Sequence, residues 1–221
     1  MSNCRKWIGS IAALLGTLAS QGAAAQYYLG IEAGREHLSF KPEYRFVSGA
    51  PNQTFDNRAV GSMAGVVGGF HWKTTQDFSL DVQGRLSTSN AAWQLALPEP
   101  SSLRYDLPVN VAISLLPAFR VSDKFTVFAE AGLALGKIRE RKVTTNVAMS
   151  GYDEDKWRPG IVTGFGVSLA LDDRWSLRAG YRRTWYKDHD FNTYRANGTQ
   201  VEAVTSRVVQ STTIIGLIRK F

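Results

Sequence analysis

Cysteine is almost missing from this chain: a single one occurs in 221 residues, at Cys4, so no intrachain disulfide can hold the fold. Long hydrophobic runs are missing as well. No uncharged apolar stretch reaches the ~20 residues that a membrane-crossing helix needs, which excludes a helical membrane protein. Proline is sparse, with 7 scattered residues, and no low-complexity tract breaks the sequence; both argue against disorder. What is plentiful is glycine, at 20 residues, and aromatics, at 11%. At roughly 100 to 200 residues per domain the length suits one domain.

Residues 1–25 read as a secretory leader. Arg5 and Lys6 supply the positive start, Ile8 to Ala19 the short apolar stretch, and Ala23, Ala24 and Ala25 the small residues for cleavage before Gln26. Cys4 precedes the apolar run, so it is not placed as a lipid-modified residue, and the mature chain, 26–221, contains no cysteine. An exported chain without disulfides must draw its stability from elsewhere. The formal charge of +7 falls to +5 without Arg5 and Lys6. That mild excess, together with export, makes nucleic acid an unsuitable partner.

The dominant period along 26–221 is two. Phe78, Leu80, Val82, Gly84 and Leu86 share one face, and Ser79, Asp81, Gln83 and Arg85 the other. The same alternation sets Tyr105, Leu107, Val109, Val111, Ile113 and Leu115 against Asp106, Asn110, Ala112 and Ser114. It returns in Phe125 to Gly136, Ile161 to Leu171 and Trp175 to Trp185, and in Tyr27 to His37, Val60 to Trp72 and Arg207 to Phe221. Eight strands are expected. In a water-soluble sandwich the polar stripe carries long charged side chains. Here it is mostly Gly, Ala and Ser with a few charges of both signs, which suits a narrow interior, so the apolar stripes must face lipid.

Connection lengths point the same way. Lys73 to Asp77, Val121 to Lys124 and Asp172 to Arg174 are tight, whereas about 39–58, 88–103, 139–157 and 187–206 read as long loops. Short periplasmic turns and long external loops are the pattern of outer-membrane barrels. Tyr27, Trp72, Phe78, Phe119, Phe125, Trp175 and Phe221 stand beside the short turns, and Tyr105, Trp157, Tyr181 and Trp185 lie toward the loops, as two aromatic girdles.

On these features the chain resembles the small eight-stranded outer-membrane barrels grouped around the OmpA transmembrane domain, OmpX and the opacity proteins. The likeness covers the whole of 26–221 and includes the terminal segment TTIIGLIRKF. It implies an all-β, up-and-down antiparallel transmembrane barrel in a Gram-negative outer membrane, inserted by the barrel assembly machinery with Phe221 as its signal. Arg219 departs from the family, which usually carries an outward aromatic or apolar residue there. No peptidoglycan-binding domain is expected after the barrel, so cell-wall tethering is not carried over.

Three constellations could carry function. The inward parity holds Glu32, Glu36, Asp81, Asp106 and Glu130 with Arg85, Arg104, Arg120, Arg178 and Arg182. Glu32, Asp81, Arg85, Glu130, Arg178 and Arg182 fall at neighbouring depths, and ions in so narrow a space must pair. They form either a salt-bridged plug or a gated pore for small solutes whose pairs exchange partners; an interior that eight strands' side chains can fill favours the plug. The outward parity near the loops holds Arg35, Arg58, Lys137, Arg139, Arg183, Lys187 and Arg207, with no outward acid expected among them. Such a collar could bind lipopolysaccharide phosphates or simply snorkel into water.

The third is His37 and Ser39, two apart on one strand face, with Asp56 across the first loop. They resemble the H-x-S pair of lipid A deacylase barrels, but Phe40-Lys41 follows in place of Asn-Ala, and the bland reading is two polar residues ending a strand. His71 and His189 are scattered, and Asp153, Glu154 and Asp155 form a loop-tip acidic run, so no metal or cofactor is expected. The basic run Arg139-Glu140-Arg141-Lys142 could meet sulfated or anionic sugars or stay hydrated. No P-loop, G-x-S-x-G, H-E-x-x-H or Rossmann fingerprint occurs. The expected protein is non-enzymatic and structural or adhesive, with host or other surface ligands engaged through four external loops.

Overall fold

The computed structural model describes residues 26–46, 53–54, 57–96, 101–144, 152–194 and 200–221. The expected leader, 1–25, lies outside them, as does Asp56. Eight long strands carry the fold: β1 (Gln26–Phe46), β3 (Asn57–Lys73), β4 (Phe78–Ser89), β6 (Ser101–Arg120), β7 (Phe125–Thr144), β8 (Tyr152–Ala170), β9 (Trp175–Tyr186) and β11 (Gln200–Lys220). Three short strands, β2 (Gln53–Thr54), β5 (Ala92–Ala96) and β10 (His189–Tyr194), extend the hairpins at one end. Every neighbour is antiparallel, and pairing of β11 with β1, from Tyr28 opposite Lys220 to Phe46 opposite Glu202, closes the sheet into an eight-stranded barrel. Closure leaves the barrel with no sheet edge, which is what lets strands sit in lipid.

The alternation read from the sequence is the wall of this barrel. Leu29, Ile31, Val66, Leu86, Ile113, Leu133, Ile161, Phe165 and Ile215 point outward and are exposed, whereas Glu32, Asp81, Arg85, Glu130, Arg178 and Arg182 are buried inside. An apolar outside around a polar inside is stable only where the surroundings are acyl chains. Glycine on the inward face makes room for rings: a Cβ on Gly136 would come within 2.6 Å of the Tyr186 ring.

The external segments differ from expectation. Most of the residues expected in long loops continue the strands, with β1 running to Phe46 and β11 starting at Gln200. At about 3.4 Å per residue and a tilt near 45°, a 21-residue strand rises about 50 Å, roughly twice the ~25 Å apolar band of such barrels. Half of β1 therefore stands outside the membrane. The alternation inverts where it leaves: below, Tyr27, Leu29, Ile31 and Ala33 face out; above, Arg35, His37, Ser39 and Lys41 do, and Leu38, Phe40 and Pro42 turn in. In water the apolar stripe belongs inside, so one strand obeys both solvents in succession.

A bulge changes β6. The register slips between Asp106 and Val109 opposite β7, which rotates the strand above it. Tyr105 and Leu107, expected outward, are buried in the lumen at 1% exposure each. Tyr105 therefore does not join the outer aromatic girdle, in which Trp157, Tyr181 and Trp185 remain exposed.

Candidate functional site: the filled lumen and the basic outer face

The lumen is built in tiers from the short-turn end outward. In the lowest tier Asp81 meets the His71 ring at Nδ1 (2.6 Å) and accepts from Arg178 Nη2 (3.3 Å). Arg178 Nη1 and the Tyr28 hydroxyl both donate to Gln83 Oε1, at 2.7 and 3.2 Å. The Arg178 guanidinium also lies over the rings of Phe128 and Tyr28, at 5.0 and 5.7 Å from their centroids. That placement lowers the cost of burying the charge.

The middle tier is a neutral quartet of two acids and two bases. Arg182 donates through Nη1 and Nη2 to both oxygens of Glu32 (2.6 and 2.8 Å) and through Nε to Glu130 Oε2 (2.6 Å). Arg85 Nη1 and Ser114 Oγ donate to the other Glu130 oxygen, at 3.1 and 2.9 Å. The fork-to-fork geometry of Arg182 with Glu32 is the strongest kind of charge-assisted pair. Above it Glu36 accepts from Ser89 Oγ and Gln210 Nε2 (2.8 and 2.6 Å), and Gln210 Oε1 accepts from the Tyr186 hydroxyl at 2.6 Å, beside Asn110.

The top tier is apolar. Leu38, Phe40, Ala59, Ala91, Tyr105 and Leu107 pack with Tyr186 and Val208. Phe40 and Trp93 flank the Tyr105 ring at 5.2 and 5.8 Å, and the Tyr105 hydroxyl donates to buried Glu140 at 2.6 Å. A hydrophobic core thus lies across the external half of the barrel.

Two expected interior bases stand elsewhere. The Arg104 side chain, above the β6 bulge, is 53% exposed and bonded to Asp106 at 3.2 Å. Arg120 is exposed at the short-turn rim. Glu140 was expected in the basic run at the base of the third loop, yet it faces the lumen.

On the outer face the expectation of a collar without acids is overturned. Asp155 sits across from Arg139 in the β7–β8 register and bonds Lys137 at 2.7 Å and Arg139 at 3.0 Å. Those two hydrogen-bonded cations hold its carboxyl below the usual aspartate range. Asp188 bonds Arg207 at 3.3 Å, and the pair raises the arginine's proton affinity further. Arg35, Arg58, Arg183 and Lys187 are exposed on the same face, with Arg183 stacked on Trp185 at 5.3 Å. His37 is exposed beside them and Ser39 is partly covered. The side chains of Asp153, Glu154 and His189 lie outside the described residues, and no group of three or more metal-ligating side chains occurs among the described ones.

Residues 10–205 match the family described as outer membrane protein beta-barrel domain. The chain belongs to that family. Among curated relatives, the 31 kDa outer-membrane immunogenic protein of Brucella melitensis is 25% identical over 167 residues, 71% of this chain and 69% of that one. Among solved structures, OprG of Pseudomonas aeruginosa aligns over 91% of this chain and 98% of its own, at 13% identity and a TM-score of 0.53. The protease OmpT of Escherichia coli aligns over 89% and 97%, at 8% identity and a TM-score of 0.54. At such identities the structures share the fold alone.

In this outer-membrane barrel the strand end at Phe221 is fixed by its N–H donating to Tyr27 O at 2.9 Å. Arg219, the departure from the family's terminal pattern, lies over the rings of Phe221 and Trp175, 5.0 and 5.6 Å from their centroids. A guanidinium on aromatic faces at the membrane edge satisfies the position that an apolar side chain would otherwise fill. Sequence reasoning missed Tyr28, Gln83, Tyr186 and Gln210 as lumen partners. Their inward parity was legible, but pairs such as Tyr28 with Gln83 and Asn110 with Tyr186 stand on non-adjacent strands and meet only across a closed barrel.

Proposed function

We propose that this outer-membrane barrel is a non-conducting, non-enzymatic scaffold that displays extended hairpins at the cell surface for binding. The observation that carries the reading is the stacking of an ion-paired middle tier beneath an apolar core built on Phe40, Tyr105 and Leu107. Water-filled conduction needs a polar path, and this core interrupts one. Strands that continue well past the apolar band give the outer hairpins a stiff support, where binding specificity on a scaffold resides. The Brucella relative is named an immunogenic protein, which agrees with a displayed surface.

Deleting residues 47–52, 97–100, 145–151 and 195–199 should reduce binding of cells to surfaces while heat-modifiable gel mobility of the barrel persists. Undiminished binding after all four trims would refute the adhesive role. Steady single-channel conductance of the wild type in planar bilayers would replace it with the gated pore. Within the same reading, Arg35, Arg58, Arg183 and Lys187 contact lipopolysaccharide phosphates, with Lys137, Arg139 and Arg207 contributing less because Asp155 and Asp188 neutralise part of their charge. Phe221 serves the barrel assembly machinery as the terminal signal. A lipid A hydrolase using His37 and Ser39 predicts altered lipid A in Ser39→Ala cells; identical mass spectra are expected.

A further inference from the structure

The closed register fixes relative heights on the outer wall. Paired neighbours followed once around the barrel, from Leu29 through Gly84, Leu133 and Trp185, return to β1 at Ser39, ten residues above the start. Each strand crossed therefore climbs the barrel axis by about 1.25 residues, which places positions on different strands at one height. Near the short turns Trp72, Phe78, Phe119, Phe125 and Trp175 fall within about one residue of a common level. This girdle is level, so the barrel stands upright; a tilt would slope both girdles alike. The upper boundary is not level. At the height of Arg35 the outward residues of β6, β7 and β8 are Val111, Leu133 and Ile161, all exposed and apolar. Trp157 of the upper girdle stands four residues beyond Ile161 on β8, about 10 Å higher at this strand tilt. On the other five strands the same height carries Arg183, Thr213, Arg35, Ala64 and Thr88, also exposed. The apolar wall is notched on that flank, with two guanidiniums and two hydroxyls at acyl depth.

At and below the notch the wall recedes in a depression of about 970 Å³, whose lining includes Ile31, Ala33, Ala64, Val66, Leu86 and Ile215. That is the upper end of the ~300–1,000 Å³ typical of small-ligand sites. A lipid-facing arginine destabilises a barrel more the deeper it lies, and a phosphate offsets this through a strong charge-assisted pair. Among the described residues neither Arg35 nor Arg183 is bonded to an acid, unlike Lys137, Arg139 and Arg207. Cations above an apolar hollow match an amphiphile with an anionic head and an acyl tail. A second copy of the chain packed symmetrically on this flank would instead bury the arginines of both copies together in one apolar interface. We propose that the flank holds one lipid A molecule, a phosphorylated and acylated glycolipid of the outer leaflet, with its phosphates on Arg35 and Arg183 and an acyl chain in the depression. The site rests on the lipopolysaccharide contact proposed for the collar and adds to it a fixed place and a pocket for the tail.

The test places the folded protein in phosphatidylcholine nanodiscs and titrates in bisphosphorylated lipid A, its dephosphorylated form or phosphatidylglycerol, with bound lipid counted by native mass spectrometry. Four single variants are compared: Arg35→Gln, Arg183→Gln, and Ala33→Leu and Ala64→Leu, which fill the depression. These side chains point to lipid, outside the packed lumen, so the variants keep the barrel, which heat-modifiable mobility verifies. One lipid A retained per barrel, with affinity roughly tenfold weaker in each arginine variant and reduced in the leucine variants, supports the site. Loss in the arginine variants with none in either leucine variant overturns the tail pocket while the collar's phosphate contact stands. Retention unchanged in both arginine variants overturns the site and that contact together. Equal retention of phosphatidylglycerol or of dephosphorylated lipid A overturns the site, and so does a lipid-independent dimer that Ala33→Leu dissociates, which would assign the flank to a second copy.

Discussion

Replacing Arg182 with methionine tests whether the middle tier is dry. In the native barrel Arg182 holds Glu32 through two bonds and Glu130 through a third, and all three side chains are at most 4% exposed. Its removal leaves two carboxylates with Arg85 alone, one uncompensated negative charge in a closed space. Breaking a buried pair in this way costs about 3–5 kcal/mol, the scale of one contact near 4 Å at an effective dielectric of 20. With a urea slope of about 1–3 kcal/mol per molar, the unfolding midpoint in lipid vesicles should fall by about 2 M. The second variant makes the logic specific: adding Glu130→Gln to Arg182→Met restores neutrality with Glu32 and Arg85, so the double variant should be more stable than Arg182→Met. Unchanged midpoints would mean that water hydrates the stranded acids. Additive losses in the double variant would mean that charge balance does not govern the tier. Either result refutes the reasoning and would favour a solvated pore.

Phe40→Ala should destabilise the external half by about 3–5 kcal/mol, the usual cost of emptying a buried aromatic site, and expose the Asn110 and Gln210 amides to hydrogen exchange while the lower barrel stays protected. Gly136→Ala forces a Cβ against the Tyr186 ring and should slow or abolish folding into micelles, read by gel mobility. Asp172 accepts from the N–H groups of Arg174 and Trp175, both at 2.7 Å, which hold its carboxyl below the usual range. Because the folded pKa is depressed, the stabilisation is full above the unfolded value of about 3.9 and is lost as pH falls through the folded one. Asp172→Ala should therefore lower stability at neutral pH and lose its difference from wild type in strong acid. The Lys137, Arg139 and Asp155 cluster has the same sign, and Asp155→Asn should raise the affinity of the outer face for anionic lipid in a vesicle co-sedimentation assay.

The lipid-facing alternation was legible from composition and period because the bilayer imposes one rule on every crossing: apolar outward, small or paired inward. Eight repeats of that rule, with every second connection a tight turn at one end, left little freedom in fold class. The external halves were not legible in the same way, since water inverts the rule at Arg35 on β1 and a reader following the membrane parity sees the pattern stop. Tyr105 and Leu107 were assigned outward because a bulge between Asp106 and Val109 carries no hydrophobic signature. The acids Asp155 and Asp188 were missed on the collar because pairing across strands, not spacing along them, brings them to Lys137 and Arg207.

What the chain alone determined is the amphipathic wall and the inventory of buried acids and bases, because alternation is a property of each strand by itself. Which acid meets which base was decided by the closed register alone: Arg182 reaches Glu32 across 150 residues of sequence. The apolar core over the lumen shares that origin, whereas the paired collar is set by directly neighbouring strands, β7 with β8 and β9 with β11. The core is made of side chains from strands that come together only when the last strand joins the first, and the geometry of that joining is a property of the whole sheet.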